Sequence, residues 1–207
     1  MAKKVIGKLE KPAAKKFKAG RKLYFVPLIY SGQGADEDYL KRFGKYWSEV
    51  EDQIGKFESK LGKIDKVYHE LIPAGGKDGE KALEELNEKS YRIVKKRLAK
   101  GTKLEALEDA KLLLEYMDWG KCLVAGLQSQ EVLSKVFEYY GKANEKRNEH
   151  IARRIDDTLK KDESGVLLMR EGHQVQFPSD IQVFYVAPPA LDEIKRWLRD
   201  RVGQSGG

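Results

Sequence analysis

The chain has 207 residues, of which 41% are hydrophobic, so its size suits one sizeable domain with a buried core. No apolar run approaches the roughly 20 residues that a membrane-spanning helix needs, and the first 20 residues lack the hydrophobic block of a secretory signal. The single cysteine, Cys122, cannot form an internal disulfide, so we expect a reducing, cytoplasmic location.

The positive charge is concentrated at the N-terminus. Residues 1–22 carry nine of the 40 basic residues and only one of the 33 acidic residues, so the net charge of +7 comes from this leader. A basic arm can contact nucleic acid weakly and without sequence preference by releasing counterions, and a solubilising, flexible terminus is the alternative. We expect a flexible leader at 1–22, a single α/β domain at 23–202 and a disordered tail at 203–207.

The first elements in chain order form a predicted βαβ unit. Residues 22–30 are a β-rich apolar run, in which Pro27 favours an edge strand or a bulge. Apolar residues at spacings of three and four predict a helix over 36–61. A second strand is predicted at 63–72, where Pro73 stops it. Strand, helix and strand in this order imply parallel pairing with a right-handed crossover.

The middle of the chain is predicted to be helical. Asp78 is a candidate N-cap for a first helix, and residues 102–105 (TKLE) match a capping box that opens a second helix ending near Trp119. A third helix is predicted at about 129–160. Together these helices form an insertion at about 73–163, which could cover a site or belong to the core.

The C-terminal part is predicted to return to the sheet. Residues 165–170 and 180–186 indicate two more strands, and residues 188–202 a helix with proline in its first turn. The predicted fold is therefore α/β, with a small, mainly parallel sheet of about four strands. A large helical insertion separates strands 2 and 3.

Polar residues stand at the ends of three predicted strands. Ser31 and Gln33 follow the first strand, His69 and Glu70 end the second, and His173 follows the third. Ligands of open parallel sheets bind at the carboxyl ends of the strands, so these residues are candidates for one site.

Each of these candidates also has a structural interpretation. Neighbouring side chains of a strand face opposite sides, so at most one of His69 and Glu70 serves the site directly. Either one could instead make a structural hydrogen bond or an ion pair. Gly172 precedes His173 and allows both a sharp turn and the close approach of a ligand.

The third predicted helix adds further polar candidates. Its apolar stripe continues through Asn144 and Asn148, with Arg147 on the flank. Polar groups on a core-facing stripe cost free energy unless they are paired. The planar fork of Arg147 suits a carboxylate or a phosphate of a ligand. The alternative is an ion pair that holds the insertion to the sheet.

Several established motifs are absent from the sequence. It contains no P-loop, no HExxH, no CxxC and no GxSxG elbow.

The order of three segments resembles the TraB/ChaN-like superfamily, which includes the erythromycin-esterase-like proteins. The segments are VYHEL, RNEHIARRIDDTL and ESGVLLMREGHQV. The resemblance covers about residues 64–186 and matches Glu70, Arg147 and His173 to family positions. The family often has a histidine after its first strand, whereas SGQG stands there in this chain.

Two functions from different classes follow. The resemblance implies a hydrolase-like enzyme, esterase- or peptidase-like, in which His173 is the general base or a metal ligand and Glu70 its partner. Arg147 would then anchor an anionic substrate. A divalent metal, manganese or zinc, would be held by His173 and Glu70, with His69 as a third candidate ligand.

The alternative is a non-catalytic protein that binds a small anionic molecule or a peptide, with the basic leader contacting nucleic acid. In either case the candidate substrate- or ligand-binding residues are Arg147, Asn144, Asn148, Ser31 and Gln33.

Overall fold

A five-stranded parallel sheet forms the centre of the molecule. The computed structural model describes residue 17, residues 19–32 and residues 34–204, with side chains up to residue 201. The strands are β1 (Arg21–Pro27), β2 (Lys66–His69), β3 (Lys103–Leu104), β4 (Ser164–Met169) and β5 (Ile181–Tyr185), in the spatial order β3-β2-β4-β1-β5. The helices are α1 (Glu37–Leu61), α2 (Gly76–Leu86), α3 (Glu88–Leu98), α4 (Ala110–Leu123), α5 (Gln130–Thr158) and α6 (Pro189–Gln204).

Helices cover both faces of this sheet. On one face Tyr24 and Val26 of β1 belong to a core that includes residues of α1, α3 and α6. On the other face Leu23 and Phe25 pack into a core with Ile151 and Ile155 of α5. Every residue of β4 is buried, as is usual for a central strand of a parallel sheet that has helices on both faces.

The predicted α/β fold and its parallel sheet are confirmed, with five strands rather than about four. The expectation that Pro27 marks an edge strand or a bulge is wrong, because β1 lies between β4 and β5. Pro27 is the last residue of β1, so its missing N–H costs little. The next residue, Leu28, donates its N–H to the Met169 carbonyl at 2.9 Å.

The short strand β3, which the sequence did not predict, interrupts the predicted helical insertion. The capping box predicted at 102–105 is wrong, because this segment contains β3 and pairs with the second strand. The Thr102 hydroxyl donates to the Ile64 carbonyl at 2.7 Å, and Glu105 donates its N–H to the Val67 carbonyl at 3.0 Å. The helix α4 begins later and is capped by Asp109.

Helix termini otherwise follow local capping chemistry. The carboxylate of Asp36 caps α1, and the hydroxyl of Ser129 caps α5, each by accepting a backbone N–H. Asp78, predicted as an N-cap, lies instead in the first turn of α2, whose N-cap is Gly75. The antiparallel hairpin of α4 and α5 carries the stacked rings of Tyr116 and Tyr140 to the end of β4.

The predicted termini are described only in part. Residues 1–16, residue 18 and residues 205–207 lie outside the described residues, and α6 extends to Gln204, beyond the predicted start of the tail. At the end of the leader, the ring centres of Phe17 and Phe184 lie 5.7 Å apart, and the Gln182 side chain donates to the Ala19 carbonyl at 3.0 Å.

No helix in the described part of the chain is long and apolar enough to cross a membrane.

Candidate functional site

A cleft of about 170 Å³, here called the polar cleft, lies at the carboxyl end of β4 and is walled by α4 and α5. Five of the eight predicted site residues line it. Its polar lining includes Glu70, Asn144, Arg147, Asn148, Arg170 and His173. The structure therefore brings Glu70, Arg147 and His173 into one cleft, although they are far apart in sequence.

The carboxylate of Glu70 is fully engaged by cationic and backbone donors. Its Oε1 accepts from Nη2 of Arg147 at 3.2 Å and from Nε and Nη2 of Arg170 at 3.1 and 3.0 Å. Its Oε2 accepts from the Arg170 backbone N–H at 2.9 Å and from the Arg170 Nε at 3.2 Å. The Nε–H of Arg170 is shared between the two oxygens, so four donor groups occupy the roughly four acceptor sites of the carboxylate and no lone pair is left for a substrate proton.

The electrostatics keep Glu70 ionised. Burial alone would raise the pKa of this carboxyl group, but the hydrogen bonds and the charge of Arg170, together with the charge of Arg147, lower it below the usual value. The pairing in turn raises the pKa of the Arg170 guanidinium. Glu70 therefore carries its negative charge at neutral pH.

Arg147 bridges two buried carboxylates. Its Nε donates to Oε2 of Glu108 at 2.9 Å, its Nη2 donates to Oε1 of Glu108, and Nη2 also reaches Glu70. The guanidinium lies 4.7 Å from the ring centre of Tyr116, within cation–π range. This arrangement matches the structural alternative for Arg147, since its ion pair with Glu70 joins α5 to the end of β2, and its ion pair with Glu108 joins α5 to the segment after β3.

The sequence reasoning missed Glu108 and Arg170. Glu108 follows the two-residue strand β3, and without that strand the residue has no place at the sheet edge. Arg170 closes the predicted third strand, and its place directly after the buried run that ends at Met169 was a usable signal.

His173 lies half-buried at the rim of the cleft. Its ring packs 4.9 Å from the ring of Phe25 and 5.6 Å from that of Phe177. Its Nδ1 accepts the backbone N–H of Val175 at 3.3 Å. Burial lowers the pKa of His173, more than the charge of Glu70 raises it. The neutral ring therefore carries its proton on Nε2, which makes His173 a hydrogen-bond donor rather than a base in this state.

The two predicted asparagines line the cleft, and one of them has an unsatisfied amide. Asn148 is 6% exposed, yet its Oδ1 has no hydrogen-bond partner among the described residues. A buried amide oxygen of this kind costs free energy unless a ligand or water completes it. Asn148 also lines a wider groove of about 680 Å³ that runs beside α5 past Gln174 and Gln176.

The remaining predicted residues are placed elsewhere. Both ring nitrogens of the fully buried His69 are engaged, with the Glu70 carbonyl at 2.7 Å and the Ser90 hydroxyl at 3.0 Å. Burial lowers the pKa of His69 to about 4. Ser31 is exposed and does not line the cleft, and Gln33 lies outside the described residues.

The residues proposed for a divalent metal do not fit one. His69 is occupied by structural hydrogen bonds, and both oxygens of Glu70 accept from arginines, whose charge also repels a cation. Across residues 17, 19–32 and 34–201, no group of three or more His, Cys, Asp or Glu side chains could hold a metal ion. The hydrogen-bond donors that line the cleft, on Arg170, His173 and Asn148, are instead suited to a ligand with acceptor oxygens.

Comparison with known proteins gives no neighbour. The chain matches no protein-family model, and neither the curated proteins nor the solved structures gave a match. The functional argument therefore depends on the geometry of the polar cleft.

Proposed function

We propose that this protein binds a small carboxylate in the polar cleft without using Glu70 for acid–base catalysis. The observation that carries the proposal is that unengaged hydrogen-bond donors line the cleft beside Glu70, whose carboxylate Arg147 and Arg170 already saturate. A general base must accept a proton from its substrate with an appropriately matched pKa. A carboxylate with a lowered pKa and no free acceptor position does not meet that requirement.

The charges around the cleft favour a monoanion over a dianion. Glu70 and Glu108 face Arg147 and Arg170, and Glu171 at the rim pairs with Lys195 at 2.7 Å. Acids and bases therefore balance, so a ligand is held by directed hydrogen bonds, and one negative charge costs less there than the two charges of a phosphate dianion.

The free hydrogen-bonding groups favour an oxygen-rich ligand. Nη1 of Arg170 makes no hydrogen bond to the described residues, and Nε2 of His173 is a donor in the neutral ring. The amide of Asn148 adds an N–H donor beside its unpartnered oxygen. One carboxylate group, which accepts several hydrogen bonds and brings one charge, suits these donors.

The test measures propionate binding to wild type and to a variant that carries an added negative charge in the cleft. We expect propionate to shift backbone amide resonances of residues around the cleft, with an affinity in the millimolar range for so few atoms. Asn148→Asp is nearly isosteric and should weaken this binding at least tenfold by repulsion between the two carboxylates. Gln128→Glu adds the same charge at the exposed loop between α4 and α5 and should leave binding unchanged. Equal binding by Asn148→Asp and wild type would contradict the proposal.

A hydrolase-like activity is the second candidate. It is supported by the presence of Glu70, Arg147 and His173 in one cleft, in line with the proposed resemblance to the TraB/ChaN-like superfamily. Its test is the release of propionate from methyl propionate, followed by proton NMR in wild type and in His173→Ala. We expect no release above background. Release that is lost in His173→Ala would make the protein an enzyme.

The basic leader is proposed to make weak, nonspecific contact with nucleic acid in the cytoplasm. The support is its charge, nine basic residues and one acidic residue among the first 22. Binding to a random duplex should fall steeply with salt and be lost on deletion of residues 1–16. Binding that survives this deletion would place the contact in the folded domain.

A further inference from the structure

A second cavity, here called the apolar chamber, adjoins the polar cleft. It has a volume of about 310 Å³. Tyr116, Tyr140 and Arg170 line both cavities, so the chamber begins where the cleft ends. The rest of its lining consists of Tyr30, Leu71, Met117 and Gly120. The chamber thus offers aromatic faces and aliphatic groups next to the one guanidinium that both cavities share.

The walls of the chamber are held by the same network that engages Glu70. Leu71 has a backbone φ of 69°, a left-handed conformation that is costly for a leucine. Its N–H donates to Oε1 of Glu108 at 3.0 Å, and this bond stabilises the unusual conformation. On the opposite wall the Tyr116 and Tyr140 rings stack at 5.1 Å, and their hydroxyls are 2.9 Å apart. The cavity is therefore preformed.

Two polar atoms at the chamber lack partners in the described part of the chain. The hydroxyl of Tyr30 is buried and makes no hydrogen bond. Nη1 of Arg170 is also without one, although the Arg170 side chain is about half exposed. Met117 is 42% exposed and lines the chamber with apolar surface in contact with water. An occupant with an apolar body and an acceptor group would cover Met117 and reach Nη1 of Arg170.

We infer that the ligand is an aromatic carboxylate, with its carboxylate at Arg170 in the polar cleft and its ring in the apolar chamber. The inference rests on the proposed binding of a carboxylate and adds the class of the rest of the molecule. The ring packs against the Tyr116–Tyr140 pair and the side chains of Leu71 and Met117. A two-carbon spacer lets one molecule reach both cavities, which share Arg170 as their boundary.

Three small probes separate the inference from the proposed function. Propionate carries the carboxylate alone, 3-phenylpropionate adds the ring, and 3-phenylpropan-1-ol keeps the ring without the charge. On wild-type protein we expect 3-phenylpropionate to bind roughly ten- to a hundredfold more tightly than propionate, from the apolar area that the ring buries. The alcohol should bind at least tenfold more weakly than 3-phenylpropionate.

The outcomes are distinguishable. Equal affinity for propionate and 3-phenylpropionate would overturn the chamber inference and leave the proposed function in place. Equal affinity for the acid and the alcohol would overturn the role of the carboxylate, and with it the proposed function. Binding of none of the three would overturn both.

A matched pair of glycine substitutions locates the ring. A Cβ added at Gly120 would lie 3.6 Å from Tyr140, in ordinary contact, so Gly120→Leu directs its remaining atoms into the chamber. This variant should lose the advantage of 3-phenylpropionate over propionate and keep the affinity for propionate. Gly141→Leu, on α5 outside the chamber, should keep both affinities. An undiminished advantage in Gly120→Leu would place the ring elsewhere and overturn the inference.

Discussion

Removal of one partner of the buried ion pair between Glu108 and Arg147 is predicted to destabilise the protein strongly. Glu108 is 3% exposed and Arg147 2%, and Glu108→Gln would remove one charge while preserving the shape of the side chain. Removal of one partner from a buried pair costs about 3–5 kcal/mol, because the other charge is left uncompensated. Arg147 keeps its contact with Glu70 at 3.2 Å, so we expect the lower end, about 3 kcal/mol.

The measurement is equilibrium unfolding in urea together with a thermal scan. A loss of about 3 kcal/mol corresponds to a decrease in Tm of about 6–12 °C for a chain of this size. Glu138→Gln is the control, because the Glu138–Lys142 pair on α5 is exposed, and we expect it to cost at most about 0.5 kcal/mol. A Glu108→Gln variant as stable as this control would refute the reasoning that Arg147 needs both buried carboxylates to compensate its charge.

Two further predictions concern buried positions away from the ligand. The folded-state pKa of His69, about 4, lies below the unfolded value of about 6.5, so its stabilisation is complete above pH 6.5 and lost as the pH falls towards 4. Between pH 7 and pH 4.5, the free energy of unfolding should therefore fall by about 2 kcal/mol more in wild type than in His69→Asn. The measurement is urea unfolding of both proteins at each pH, and an equal decrease in the two proteins would contradict the prediction. Gly79→Ala would place a Cβ 2.2 Å from the Ala74 carbonyl oxygen and should lower the free energy of unfolding by about 2 kcal/mol or more. Gly55→Ala is the control, because a Cβ there meets open space, and it should be neutral or stabilising. Similar Tm values for the two variants would contradict the close packing around Gly79.

The sequence by itself determined the elements that have a strong local pattern. The apolar spacing of 36–61 predicted α1 to within a residue, and the predicted third helix is close to α5 (Gln130–Thr158). The run 165–169, which became most of β4, is apolar throughout, and such a run is typical of a central strand rather than a half-exposed one. Parallel strands end at one edge, and for this reason Glu70 and His173 could be assigned to one cleft before the structure was known.

Elements and partners without a local pattern needed the tertiary structure. The strand β3 has only two residues, too few for any periodicity, so the sequence could not place Glu108 at the sheet edge. Arg147 and Glu108 are 39 positions apart, and Arg170 and Glu70 are 100 apart, so no local pattern records that they meet.

Those two contacts change what the polar cleft can do. The sequence supplied a carboxylate and a histidine at one edge, a pattern that is compatible with hydrolysis. The tertiary structure decided that two arginines occupy the carboxylate of Glu70 and that His69 points away to Ser90. The reason is physical: the protonation state and the free lone pairs of a buried carboxyl group depend on the charges packed around it, and packing is decided by the whole fold.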